Sequence, residues 1–159
     1  MLRRGLALAA LIVVADQLSK EWVLSFFAAR GPTDLMQPVT GFFNLVLTWN
    51  RGMSFGLFNT GASFNAIAFT AVAVVIVAGL VLWLRRVRDT MIAIAIGLVI
   101  GGAIGNVIDR LWRGAVVDFL DFHAAGWHWF AFNLADAAIC IGVGLMALDG
   151  LRGQREQTN

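Results

Sequence analysis

Four stretches of nearly unbroken apolar sequence, separated by two glycine-rich or polar intervals and one short basic one, set the pattern of this chain. The first opens after Arg3 and Arg4 and at its start resembles a signal peptide. Asp16, Gln17, Lys20 and Glu21 then interrupt it, and apolar character returns from Trp22 to Ala29. A retained helix over roughly 5–27 is therefore predicted, long enough to span about 30 Å of hydrocarbon. Further spans are predicted over 62–84, 91–108 and 130–148, the second ending in Trp83 and an Arg85, Arg86, Arg88 cluster.

Between the first two spans, the outer loop 30–60 carries Gly31, Pro32, Pro38, Gly41, Gly52 and Gly56, which exclude a helix. Inside it, Asn44, Val46, Thr48 and Asn50 alternate with Leu45, Leu47 and Trp49. Period two argues for a half-buried strand and a small sheet at the membrane surface. A bare sheet edge is not tolerated in hydrocarbon, so this segment belongs outside it or packed on the helices. The expected fold is a single mainly α membrane domain over 1–159. It has four transmembrane helices, a small extracytoplasmic β-sheet and a second short outer loop over 111–129. In the third span Gly97, Gly101 and Gly105 recur every four residues, a small-residue stripe that lets helix backbones approach closely.

Composition agrees with this pattern. Of 159 residues, 59% are hydrophobic and 14% charged, well away from the roughly 45–50% and 25% of soluble domains. The isoelectric point near 9.5 does not indicate a nucleic-acid partner, because the basic residues sit at the ends of apolar segments rather than on one face. With four spans, Arg3, Arg4, Arg85, Arg86, Arg88, Arg152 and Arg155 share one side, which makes both termini cytoplasmic. Trp22, Trp49, Trp112, Trp127 and Trp129 then mark the outer interface, and Trp83 the inner one. The lone Cys140 cannot form an intramolecular disulfide and reads as a small buried apolar residue.

Charge collects between Gly105 and Asp136, where Asp109, Arg110, Asp118, Asp121 and Asp136 lie close in sequence. An ionisable group inside a span is costly and so marks function by default. Counted from Trp129, Asp136 lies about seven residues into the fourth span, roughly 10 Å below the outer surface. Asp118 follows the third span in an apolar run that can return toward it. Two carboxylates in a partly dry site do not both ionise easily, which lets one act as base and the other as acid. The competing explanation is that each ties down a loop or helix end, and spacing does not separate Asp118 from Asp121. Asp16 and Lys20, four apart, share a helix face and can neutralise one another toward the bundle. For Asp109 the simplest reading is a surface ion pair with Arg113. Arg110 can hold a substrate carbonyl or brace a carboxylate.

The string Gly52–Gly56 matches the G-x-S-x-G of serine hydrolases, with Ser54 as nucleophile, but it follows a surface strand and no general base is placed beside it. His123, His128 and Asp121 could suggest a metal, yet no H-E-x-x-H is present and loop histidines at an interface are more often simply polar.

Taken together, DQLSK from Asp16, WNRGMSFG from Trp49, GGAIGNVIDR from Gly101, VVDFLDF from Val116 and FNLADAAICIG from Phe132 resemble the lipoprotein signal peptidases, the type II signal peptidases of bacteria. The resemblance spans nearly the whole chain. It implies four transmembrane helices with a small extracytoplasmic sheet, and an aspartic endopeptidase of the bacterial cytoplasmic membrane, with Asp118 and Asp136 as the catalytic pair near the extracytoplasmic face. It implies supporting or substrate-contacting roles for Asp16, Lys20, Asn50, Gly52, Asn106, Asp109, Arg110 and Asn133. Ala137 departs from the serine that many members carry there. The implied substrate is a diacylglyceryl-modified prolipoprotein, cut before its lipidated lipobox cysteine by water, without metal, cofactor or covalent intermediate. A monomer among membrane lipids is expected, and the resemblance implies a target for cyclic-peptide antibiotics of the globomycin type. The rival from another class is a small proton-coupled transporter using Asp16 and Asp136 as relay.

Overall fold

The structure, a computed structural model, describes residues 1–52 and 62–156, with side chains over 1–52 and 67–151. Ser54 lies outside the described residues. The elements run α1 (Leu2–Ala28), β1 (Met36–Thr40), β2 (Phe43–Asn50), α2 (Ala62–Leu84), α3 (Thr90–Trp112), β3 (Val116–Ala124), β4 (Trp127–His128) and α4 (Leu134–Glu156). The chain is thus mainly helical, with one small antiparallel sheet in the order β1-β2-β3-β4. Among the described residues, three helical stretches are long and apolar enough to cross a membrane: Ile67–Leu84, Thr90–Trp112 and Leu134–Leu151. α1 is as long but carries Asp16, Lys20 and Glu21 in its second half.

α3 is the central helix and packs against α1, α2 and α4. Its glycine stripe makes the approach to α1 close. A β-carbon at Gly97 would lie 2.6 Å from the Gly5 carbonyl oxygen, and one at Gly101 would lie 2.7 Å from that of Ala9. On the α4 side, a β-carbon at Gly102 would collide with the Ala135 carbonyl, and one at Gly142 would lie 2.6 Å from the Ala95 oxygen. These crossings are too tight for any side chain, as close packing on small residues requires.

Along α1 the buried residues Gly5, Ala9, Asp16, Lys20, Val23 and Phe27 form one stripe at spacings of three, four and seven residues. At one end Ala9 joins Leu84, Ile92, Ala93, Ile96 and Ile100 in an apolar cluster. At the other, Val23 and Phe27 pack with Leu45, Val117 and Phe119 of the sheet. Between these clusters the fully buried side chains of α1 are Asp16 and Lys20. The outward faces of α2 and α4 expose Val74, Val75, Leu82, Ile141 and Val143, a surface suited to lipid. Cys140 is on that exposed face of α4 rather than buried, because its helix turns Ala138 inward instead.

The second outer segment departs most from expectation. Instead of a short loop over 111–129, β3 pairs with β2 along the sheet and with β4 through a hairpin. Ala125 and Gly126, with φ of 51° and 80°, supply the two left-handed positions that a two-residue hairpin turn needs. The fourth helix also starts later than 130. Phe132 exchanges backbone hydrogen bonds with Leu120 (3.1 and 2.8 Å), which holds 130–132 extended against the sheet. Asn133 then caps α4, its Oδ1 accepting the Asp136 N–H at 2.9 Å. Asp136 is therefore in the first helical turn, not deep in a span.

Candidate active site

Asp118 reaches the site from β3 and Asp136 from the start of α4, and two asparagines join them. Asn133 Nδ2 donates to Asp118 Oδ1 at 2.7 Å, and Asn106 Nδ2 of α3 donates to Asp136 Oδ1 at 2.7 Å. Asn133 Nδ2 also lies 3.3 Å from Asn106 Oδ1, which closes the chain of contacts between the carboxylates. The second oxygen of Asp118 accepts from Asn50 Nδ2 at 3.0 Å. Asn50 is itself held by Gly52, whose N–H donates to Asn50 Oδ1 at 2.8 Å. Gly52 has φ +81° and no room for a β-carbon against the Phe69 ring, so the turn that fixes Asn50 favours glycine twice over.

Register in the sheet explains why Asn50 meets Asp118. The pairing shifts between Leu45 and Thr48, a bulge that breaks the simple alternation of β2. Asn44 and Asn50, which alternation alone would put on one face, are thereby turned to opposite faces. Asn44 sits directly across from Asp121 and donates to its Oδ2 at 2.8 Å. Asp121 also lies 2.9 Å from His128 Nδ1, and none of its contacts reaches Asp118 or Asp136. Burial pushes the Asp121 carboxyl up, but the hydrogen bonds from Asn44 and His128 outweigh it and hold the group below its usual value.

Asp118 is displaced the other way, to about 6. Burial is the main cause. The neighbouring charge of Asp136 adds to it, while hydrogen bonds from Asn50 and Asn133 and the charge of Lys20 partly oppose it. A carboxyl poised near 6 can both take and give a proton at neutral pH.

Behind this pair lies a buried ionic cluster. Lys20 Nζ is 2.8 Å from Asp16 Oδ2 and 2.9 Å from Asp109 Oδ2, all three side chains fully buried. It also lies 3.3 Å from Asn106 Oδ1, which links the cluster to the site. Asp16 Oδ1 accepts the Ala135 N–H of α4 at 3.0 Å, and Asp109 Oδ2 accepts the Val117 N–H of β3 at 3.0 Å. Asp109 does pair with Arg113, but as a buried anchor rather than a surface pair. Arg113 continues to Glu21 and Gln17 of α1. The pair of α1 carboxylate and lysine thus positions the two elements that carry Asp136 and Asp118. Arg110 lies over the Phe69 ring at 5.5 Å, one turn after Asn106 on the same helix. The bracing by Gln17 and Phe69 had no signal in the sequence, because both contacts depend on how the helices cross.

A family model described as "Signal peptidase (SPase) II" matches residues 8–152. The chain belongs to the signal peptidase II family. Among its relatives, the lipoprotein signal peptidase of Burkholderia vietnamiensis is 43% identical over 151 residues, covering 94% of this chain and 89% of that protein. The lipoprotein signal peptidases of Ralstonia nicotianae and Paraburkholderia phymatum are 45% and 46% identical over 152 residues, each covering 94% of this chain, and 85% and 89% of their own lengths. Two solved structures, each titled a bacterial membrane enzyme structure, superpose with TM-scores of 0.77 and 0.76 at 28% and 29% identity. They cover 95% and 93% of this chain, and 89% and 92% of their own. As a signal peptidase II family member the chain is a membrane peptidase, which sets aside the transporter reading. Asp16, required there as a relay, is instead engaged at both oxygens by Lys20 and the Ala135 N–H.

Proposed function

We propose that this peptidase removes the signal peptide from diacylglyceryl-modified prolipoproteins, cutting before the lipidated lipobox cysteine, with Asp118 and Asp136 as an aspartic dyad. The observation that carries this reading is the asparagine bridge between two carboxylates drawn from different elements, one of them raised to about 6 partly by the other's charge. One carboxylate takes a proton from water as the oxygen attacks the scissile carbonyl. The other gives its proton to the departing amide nitrogen, and the peptide bond breaks. Asn50, Asn106 and Asn133 hold the carboxylates, Gly52 orients Asn50, and Arg110, a turn beyond Asn106, is the cation for a substrate carbonyl. Asp16, Lys20 and Asp109 brace the elements behind it.

In this reading one domain crosses the cytoplasmic membrane four times, α1 included, with both termini inside and the sheet outside. The buried charges of α1 are compensated by α3, which is what an interrupted span needs. A signal peptide, itself a membrane helix, would present its cleavage site at the level of β3 and the start of α4.

The test is cleavage of a lipidated precursor by purified enzyme and its variants. Asp118→Asn and Asp136→Asn are each expected to lose at least about 10²-fold, the lower range for a general acid or base. The double variant should be scarcely worse than either, since groups acting as a unit are not additive. Asp121→Asn is expected to stay within about tenfold of the parent, about 1.4 kcal/mol. Two losses that multiply, or a dead Asp121→Asn beside an active Asp118→Asn, would sink the assignment. Equal cleavage of an unlipidated precursor would sink the substrate.

A further inference from the structure

At the end of the molecule away from the site, α2 finishes in Leu84 and runs directly into Arg85 and Arg86. A cavity of about 640 Å³ opens there, lined by Leu82, Trp83, Arg85 and Arg86. The lining is amphiphilic: two guanidinium groups beside an aliphatic side chain and an indole. More positive charge surrounds it. A β-carbon at Gly5 would lie 2.8 Å from Leu84 Cδ2, and Thr90 Oγ1 lies 3.8 Å from Met1 Sδ, so the start of α1 with Arg3 and Arg4 abuts this end of α2. Arg3, Arg4, Arg85, Arg86 and Arg88 are all exposed, and none forms a salt bridge among the described residues. The adjacent Asp89 is committed as the N-cap of α3, accepting the Ile92 N–H at 2.9 Å.

We propose that the cavity between Trp83, Arg85 and Arg86 is a binding site for the phosphodiester headgroup of an anionic phospholipid. Arginine forks match phosphate oxygens in pairs, and a tryptophan at the end of a span sits at the glycerol level of a bilayer. The exposed Leu82 and, about two turns further along, Val75 and Val74 give the acyl chains an apolar path beneath the headgroup. A free phosphate has no use for that apolar side of the cavity, whereas a lipid occupies both. The inference rests on α2 crossing a bilayer and not on the catalytic assignment, so the two stand or fall separately.

The test is lipid retention by the full chain in neutral detergent, read by native mass spectrometry against phosphatidylglycerol, phosphatidylcholine and inorganic phosphate. The parent is expected to retain phosphatidylglycerol over phosphatidylcholine, and Arg85→Gln/Arg86→Gln to weaken that binding at least about tenfold. Arg3→Gln/Arg4→Gln removes the same charge from the same end and is expected to lose far less. Arg85→Lys/Arg86→Lys, which keeps both charges without the forks, is expected to weaken binding severalfold and carries the test should the glutamine pair fail to fold. Equal losses in the two glutamine pairs, unchanged binding by the lysine pair, equal retention of phosphatidylcholine, or displacement by equimolar inorganic phosphate would each overturn the proposal.

Discussion

Lys20→Met isolates what the buried cluster does. Methionine keeps much of the stem and removes the only cation within 3 Å of Asp16 Oδ2 and Asp109 Oδ2 among the described residues. Breaking a buried ion pair from one side costs about 3–5 kcal/mol, because an uncompensated charge is left behind. Here Asp109 keeps Arg113 and the Val117 N–H, and Asp16 keeps Gln17 and the Ala135 N–H. The loss is therefore expected near the lower end, about 3 kcal/mol, read as a shift of the unfolding midpoint in a denaturing-detergent titration. Asp16→Asn/Lys20→Met removes charge from both partners and is expected to cost less than Lys20→Met alone. The second readout is catalytic. Lys20's charge helps hold Asp118 down, so without it the limb of the pH–rate profile that follows Asp118 ionisation moves above its parental position. A double variant less stable than the single one, together with an unmoved limb, would refute the view of Lys20 as both brace and electrostatic partner.

Three further outcomes follow from the geometry. Because burial raises Asp118 from 3.8 to about 6, its protonated form is favoured in the fold. Its contribution to stability is then full below about pH 3.8 and falls away as pH rises through about 6, by about 3 kcal/mol; unfolding at pH 4 and pH 7.5 should show a decline that Asp118→Asn flattens. Gly101→Ala places a β-carbon 2.7 Å from the Ala9 oxygen and should destabilise by about 1–3 kcal/mol, whereas Gly144→Ala, with nothing within 4 Å, should be neutral or slightly stabilising in the same assay. Reporters fused after Asn159 and inserted at Gly126 should report opposite sides of the membrane, and a same-side result removes the four-span topology.

The helices were legible because apolar runs of this length admit few other readings, and the α3 glycine stripe announced its own close contacts. The carboxylates were legible as charges out of place in an oily chain. The sheet was only half legible. The alternation of β2 is visible, but β3 is buried on both faces over Val116–Phe119, so it shows no period two and reads as an apolar loop. The late start of α4 was hidden for a related reason: Phe130–Phe132 is apolar enough to continue a span, and only its pairing with Leu120 draws it into the sheet.

That hidden strand also gives different surroundings to two aspartates that spacing alone leaves equivalent. Three residues apart on a helix, Asp118 and Asp121 would share a face; three apart on a strand, they point to opposite ones. The bulge in β2 then turns Asn50 toward the first and Asn44 toward the second, so each carboxylate receives an amide but in different company. Asp121 gains His128 and is held ionised on the hairpin, with hydrogen bonds favouring its charge. Asp118 gains Asn133 and the field of Asp136 in a buried position, where charge is disfavoured and a proton is readily kept. A one-residue slip of β3 would exchange the two faces. Sheet register, more than any property of the aspartates themselves, therefore sets which of them is pushed toward its protonated form and which toward its charged one.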